Sequence, residues 1–368
     1  MTLVPKDEPD FKMEGSSKEN GSYVFQDLLP GEYTLNVLAD GYLQESFEVE
    51  IGSEDKVFNL ELNAFEAAVL GDVSGALTSL LNEQELFAEE KGWDILGNVG
   101  KYDVILVNTK KGTKEQFEQL IKESDEQKTS LVFTGTWGVA EGSIQRLNEA
   151  IGSPEMDQQG YNEGAIFVQA VNGHPIFNGL NLDENGRVKV HSAKSPYATF
   201  KDYTGIAISS LSVDGKEKGD SIGFEFRSKE HMHLLMSSFA VTNIIGPDYG
   251  WTQDGRQLFV NAIKWSKDSV QEMPEAPAWE LEELKVKGEP AIVKGSAAQG
   301  TTVNIYEQHG NEVILIDSAK TGRDGTFSVE LDLANGSHTL LAEAENFAGK
   351  TKAVKTMKVI VTGKPEKR

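Results

Sequence analysis

The sequence predicts a multidomain chain: a central α/β doubly wound module flanked by an N-terminal all-β sandwich and a C-terminal β-sandwich. Three observations predict it. Apolar and polar residues alternate between glycine-rich turns up to about residue 64. From Ala67 to about Ser266 the rhythm changes to short apolar runs separated by helical stretches. After a proline- and acid-rich stretch the alternation returns, with turn signals spaced as in a sandwich.

In the first zone Tyr23 and Phe25, then Tyr33, Leu35 and Val37, then Phe47, Val49 and Ile51 fall two apart on successive runs. Pro30-Gly31 and Asp40-Gly41 supply the turns, because proline presets one dihedral and glycine permits positive ones. Some twenty irregular residues precede these runs.

In the second zone AAVLGDV, YDVILVN and SLVFTG have the length and the Val/Ile/Leu content of buried parallel strands. Between them, ALTSLLNEQELFAEEKG places Leu77, Leu80, Leu81 and Phe87 on a helical face, and TKEQFEQLIKESDEQ does the same with Phe117, Leu120 and Ile121. GAIFVQAV, GRVKVH, GIAISSL and HLLMSSFAV read as further strands, and DGRQLFVNAIKWS as a closing amphipathic helix. The boundaries that follow are 1–64, 65–268, a linker at 269–284, a sandwich at 285–363 and a tail at 364–368.

Composition limits the partners. With 35 Lys and Arg against 58 Asp and Glu, the net charge of -23 repels phosphate backbones and anionic membranes, so neither nucleic acid nor membrane is an expected partner. No cysteine is present, which removes disulfides, thiolate metal sites and a cysteine nucleophile together. No apolar stretch reaches membrane-spanning length and the N-terminus lacks a signal pattern, so export would require a signal upstream.

LVFTGTWGVAEGSIQRL, residues 131–147, reads as a strand entering a glycine-flanked turn and then a helix. Such a turn can expose a nucleophile and aim amide donors at an oxyanion. Gly135, Thr136, Trp137 and Gly138 occupy it. Thr136 could attack only with a base beside it, Trp137 suits packing or ligand stacking, and Ser143 lies farther along as a surface or capping residue.

The six histidines are His174, His191, His231, His233, His309 and His338. His231 and His233 share one face at the start of an apolar strand and can bind metal if a third ligand converges; the ordinary alternative is a strand edge with two partly solvated imidazoles. His174, before a proline, reads as a structural hydrogen-bonding residue. Acidic loops at 183–187, 247–256 and 322–326 could ligate calcium, and plain turns explain them as well.

Gly21, Tyr23, Phe25, Leu28, Pro30, Gly31, Tyr33, Ala39, Gly41 and Tyr42 form a pattern that resembles the carboxypeptidase regulatory-like domain. That family begins with two further strands, so the resemblance implies a partial domain. The second zone resembles the class I glutamine amidotransferase fold, without the family's cysteine at the turn or its His-x-Glu pair, which implies a module that has lost glutaminase chemistry. VKGSAAQGTTVNIY and GRDGTFSVELDLANGSHTLLAEAENFAGKT are similar to bacterial immunoglobulin-like modules.

In this order the three modules resemble the region after the catalytic domain of large secreted subtilisin-type serine peptidases of Gram-positive bacteria, of the bacillopeptidase F-like group. The resemblance implies an extracellular, non-catalytic accessory region. Its partners would be an upstream peptidase domain and a protein substrate or cell-wall glycan, with no cofactor beyond optional calcium. Two other readings stand beside it. One is a hydrolase using the α/β cleft through Thr136, Ser143, His231 or His233, and the other is a surface adhesion module.

Overall fold

The computed structural model describes residues 1–134, 155–236 and 250–363, apart from short breaks at 9–10, 19–20, 38, 40–41, 43–44, 55, 63–64, 72–74, 85, 109–111, 163, 171–172, 193–194, 202, 204, 311 and 323. The chain is mostly β, arranged in several sheets. Among the described residues no helix is long and apolar enough to cross a membrane.

The N-terminal module is one antiparallel sheet of β1 (Thr2–Pro5), β2 (Met13–Glu14), β3 (Gly31–Val37) and β4 (Glu45–Ile51), in the order β2-β1-β3-β4. The first residues are therefore not irregular. Leu3 is buried opposite Leu35, which draws β1 into the centre of the sheet. The Tyr23–Phe25 run, in turn, forms no strand. It covers one face of the sheet, with the two rings edge to face at 6.3 Å and the Tyr23 hydroxyl donating to the Phe58 carbonyl. Among the described residues a single sheet with coil packed on it replaces the expected sandwich.

The α/β module has an eleven-stranded sheet. Its parallel part runs β6-β5-β7-β8-β15, from β5 (Ala67–Leu70), β6 (Ala88–Lys91), β7 (Val104–Val107), β8 (Ser130–Thr134) and β15 (Met232–Met236). The chain winds outward from β5 in both directions. Both faces of β5 and β7 are covered, which is why they read as unbroken apolar runs, whereas β6 at the edge carries two glutamates and a lysine. Helices α1 (Ala76–Glu83) and α3 (Gln253–Asp268) pack on one face, and α2 (Lys114–Gln127) packs on the other.

Helix α2 starts at a capping box. Thr113 Oγ1 accepts from the Gln116 amide, and the Gln116 side chain accepts from the Thr113 amide. Helix α1 is shorter than its apolar spacing suggests. The Asn82 side chain donates to the Ala88 carbonyl and accepts from the Ala88 amide, turning the chain into β6, and Phe87 is left exposed rather than on a helical face.

Beyond β15 the sheet continues antiparallel, a departure from a purely doubly wound plan. It runs through β14 (Lys216–Phe226), β13 (Ile206–Val213), β10 (Ile166–Gln169) and β11 (Arg187–His191), while β9 (Glu155–Asn162) and β12 (Ser195–Lys201) pair with each other and join at β14. The β13–β14 hairpin turns at Asp214-Gly215, both with positive φ (51° and 73°), the geometry that suits the twist of a two-residue hairpin.

The C-terminal module packs two sheets face to face. One contains β16 (Ala278–Trp279), β18 (Ala291–Ser296) and β21 (Thr326–Leu331). The other contains β17 (Glu283–Lys287), β24 (Met357–Thr362), β22 (Gly336–Asn346), β19 (Thr302–His309) and β20 (Glu312–Lys320), with β23 (Gly349–Lys352) on β22. Alternation is strict on β18 and β21, whose inward Val293, Phe327 and Val329 meet Val303, Ile305, Leu340 and Val359. The segment read as a linker thus supplies β16 and the start of β17.

The residues before β16 are bonded on both sides. The Gln271 amide donates to the Lys229 carbonyl, Gln271 Oε1 accepts from the Phe347 amide, and the Asn346 side chain donates to the Glu272 carbonyl. Met273 lies so close to Gly349 that a Cβ there would meet its sulfur at 2.6 Å. Across the same joint Ile206 packs on Gly300, and Lys320 lies 3.6 Å from Glu225.

Candidate functional site

His231 and His233 come together with Asp125. His231 immediately precedes β15 and His233 lies within it, so the two side chains share the face that carries Leu235 and looks toward α2. Register pairs His233 with Leu131 at the start of β8, and Asp125 lies in the last turn of α2 just before β8. The group therefore sits at the amino ends of the parallel strands, opposite the end where open α/β sheets usually hold ligands.

Neither imidazole is at an edge. β15 lies between β14 and β8, and the two histidines are 1% and 7% exposed, so the reading of partly solvated rings at a strand edge is corrected. Both Nε2 atoms approach the same carboxylate oxygen: Asp125 Oδ1 is 3.2 Å from His231 and 3.6 Å from His233. The His233 ring meets Phe133 edge to face at 5.7 Å, which fixes its plane.

Polar neighbours complete the network. Arg227 grips Asp125 with two parallel bonds, Nε to Oδ1 at 3.1 Å and a terminal nitrogen to Oδ2 at 2.7 Å, and also lies 3.6 Å from Glu225. Ser228 Oγ is 2.7 Å from His231 Nδ1 and accepts from the Glu230 amide. Ser124 Oγ donates to the Thr129 carbonyl and stands 3.2 Å from His233 Nε2. Because the Ser124 proton goes to Thr129, the contact with His233 needs a proton on the ring or a cation near it.

The charges respond accordingly. Burial pushes the Asp125 carboxyl up, but bonds from His231 and Arg227 outweigh it and hold the group well below the usual carboxylate range. His233 is pushed down to about 3, first by burial and then by the Arg227 charge, with Asp125 opposing. Such displacement marks either a functional site or a structural ion network.

Two kinds of chemistry use these residues. Asp125, His231 and His233 form a three-ligand set whose donor atoms all lie within 4.8 Å of one another, the only such set among the described residues. Ser228, His231 and Asp125 form a serine–histidine–carboxylate chain. In that chain Nδ1 faces the serine, and Ser228 and His231 also close one turn through the Ser228 amide and the His231 carbonyl. A tight turn accounts for the serine contact without catalysis.

The remaining expectations fall elsewhere. Gly135, Thr136, Trp137, Gly138 and Ser143 lie outside the described residues. The His174 carbonyl accepts from the Phe177 amide, while its ring Nδ1 has no partner among the described residues and the ring packs on Trp265 at 4.7 Å. In the acidic loops, Asp183 accepts from the Asn185 and Arg187 amides and Asp324 from Thr326, while Asp254 in the first turn of α3 binds Asn181. Asp125, which sequence reasoning missed, did carry a signal. A carboxylate in the last turn of a helix opposes the helix dipole and calls for a partner.

No family model and no curated protein matches the chain. Among solved structures it is similar to a ThuA-like protein from Bacteroides uniformis, at 14% identity and TM-score 0.40 over 55% of this chain and 91% of that one. An α-L-fucosidase isoenzyme from Paenibacillus thiaminolyticus matches at 10% identity and TM-score 0.36, over 80% of this chain and 47% of that one. A human fibronectin type-III domain covers 26% of this chain and 92% of its own length, at 13% identity and TM-score 0.19.

Proposed function

We propose that the chain is a non-catalytic accessory and binding region of a secreted bacterial serine peptidase of subtilisin type. It combines a regulatory-like β module, an amidotransferase-like α/β module and an immunoglobulin-like sandwich. Its partner is a peptidase domain upstream in the parent chain, which it positions outside the cell while binding a protein substrate or cell-wall glycan. The observation that carries this reading is the joint between the second and third modules. Gln271 bonds Lys229 of the second module and Phe347 of the third, Glu272 and Met273 meet Asn346 and Gly349 of the third, and a segment held on both sides gives two modules a fixed offset, which a spacer requires. The absence of cysteine supports the loss of glutaminase chemistry in the α/β module.

One observation favours a second reading, a hydrolase: the Ser228–His231–Asp125 chain. The two are separated by exposing the full chain to a fluorophosphonate probe and by reading the coding sequence upstream. The accessory reading expects no labelling and an upstream frame carrying the peptidase's Asp, His and Ser motifs. Labelling that disappears in Ser228→Ala would establish the hydrolase, and a frame joined instead to a wall-sorting signal would establish an adhesin.

A further inference from the structure

We infer that Asp125, His231 and His233 form a binding site for one divalent transition ion, zinc above all, which pins the end of α2 to the start of β15. The inference does not depend on the accessory reading.

Distances carry it first. Tetrahedral zinc with bonds of about 2.0–2.1 Å to nitrogen and oxygen sets its ligands about 3.3 Å apart. The separations from Asp125 Oδ1, 3.2 Å to His231 Nε2 and 3.6 Å to His233 Nε2, bracket that edge. Ser124 Oγ, 3.2 Å from His233 Nε2, lies at the same spacing and marks the side on which a fourth ligand, hydroxyl or water, would stand. Two imidazole nitrogens and a carboxylate suit zinc better than calcium or magnesium, which prefer all-oxygen sets.

Orientation carries it second. A metal-bound imidazole is held by a hydrogen bond at its other nitrogen. His231 has a partner there, Ser228 Oγ at 2.7 Å from Nδ1, and its Nε2 faces Asp125 Oδ1 at 3.2 Å, so a metal would take the place of the proton between them. His233 is buried, and Phe133 meets its ring edge to face at 5.7 Å, which holds its plane. Asp125, with its side chain 32% exposed, opens the site to solvent.

Arg227 is the opposing element, since its guanidinium sits on both Asp125 oxygens. It has somewhere to go. Glu225 Oε2 is already 3.6 Å from Arg227, so release of one Asp125 oxygen to the metal leaves the guanidinium with a carboxylate.

The test titrates zinc alone into the full chain against a chromophoric chelator, with the visible absorption of added cobalt reporting coordination. The wild type is expected to bind one equivalent with the intense bands of a four-coordinate ion. Asp125→Asn and His233→Gln should weaken binding by about 30-fold or more, and Ser228→Ala, which leaves every ligand in place, by about tenfold. Arg227→Gln should tighten it. Should Asp125→Asn fail to fold, Ser228→Ala and Arg227→Gln still decide. No site tighter than about 100 µM, or an affinity indifferent to Ser228→Ala and Arg227→Gln, overturns the inference.

Discussion

In the α/β module His231 and His233 aim their Nε2 atoms at one oxygen of Asp125, whereas in the C-terminal sandwich Glu307 gives one oxygen to His338 and the other to His309. Each group is one carboxylate with two histidines. In the sandwich each contact closes separately, at 2.6 Å and 3.3 Å, and His338 spends its second nitrogen on the Ala334 carbonyl. Ring N–H groups satisfy that arrangement. In the α/β module both ring nitrogens converge on one oxygen, and the carboxylate comes from a helix beside the strand that begins between the two histidines. Convergence from separate elements, rather than composition, makes a candidate metal centre.

The largest expected effect separates the two groups directly. Asp125→Ala strands Arg227 and two buried imidazoles and should cost about 3 kcal/mol, while Glu307→Ala on the sandwich should cost about 1 kcal/mol. Hydrogen exchange read separately in the two modules measures both losses. Equal costs would erase the distinction.

A histidine outside both groups sharpens the comparison by showing burial without a carboxylate. His174, packed on Trp265, Phe224 and Phe177, is pushed down by burial from 6.5 to about 4. Between those values the unfolded chain takes up a proton that the folded ring refuses, so stability falls as pH falls through that window and levels off below it. Discounted for the solvent that reaches the ring, the loss should be about 1–2 kcal/mol. His174→Phe keeps the ring packing and should flatten the acid limb of the denaturation profile. An unchanged limb would mean that other groups cause it.

The smallest effect tests where the buried network ends. The charges run from Asp125 through Arg227 and Glu225 to Lys320, which is half exposed at the joint. Lys320→Ala should change stability by no more than about 0.5 kcal/mol. A larger loss in urea unfolding would make the joint part of the cluster.

The parallel core was legible because strands buried on both faces are built on apolar runs, as in Val104–Val107 and the three middle residues of Ser130–Thr134. The α1 boundary was not, since Leu77, Leu80 and Leu81 continue a helical spacing that only the side chain of Asn82 interrupts. The antiparallel extension was not legible either, since the strands joined at Asp214-Gly215 alternate weakly. At the site, the shared face of His231 and His233 follows from period two. Asp125 lies 106 residues before His231 on another element, so only the fold brings it near.

Zinc-edge anomalous diffraction from crystals of the full chain soaked in zinc chloride tests the convergence most directly. The account predicts a peak about 2.1 Å from His231 Nε2, His233 Nε2 and Asp125 Oδ1, with Arg227 turned toward Glu225. A peak at Glu307 and His338, or none beside Asp125, would contradict it.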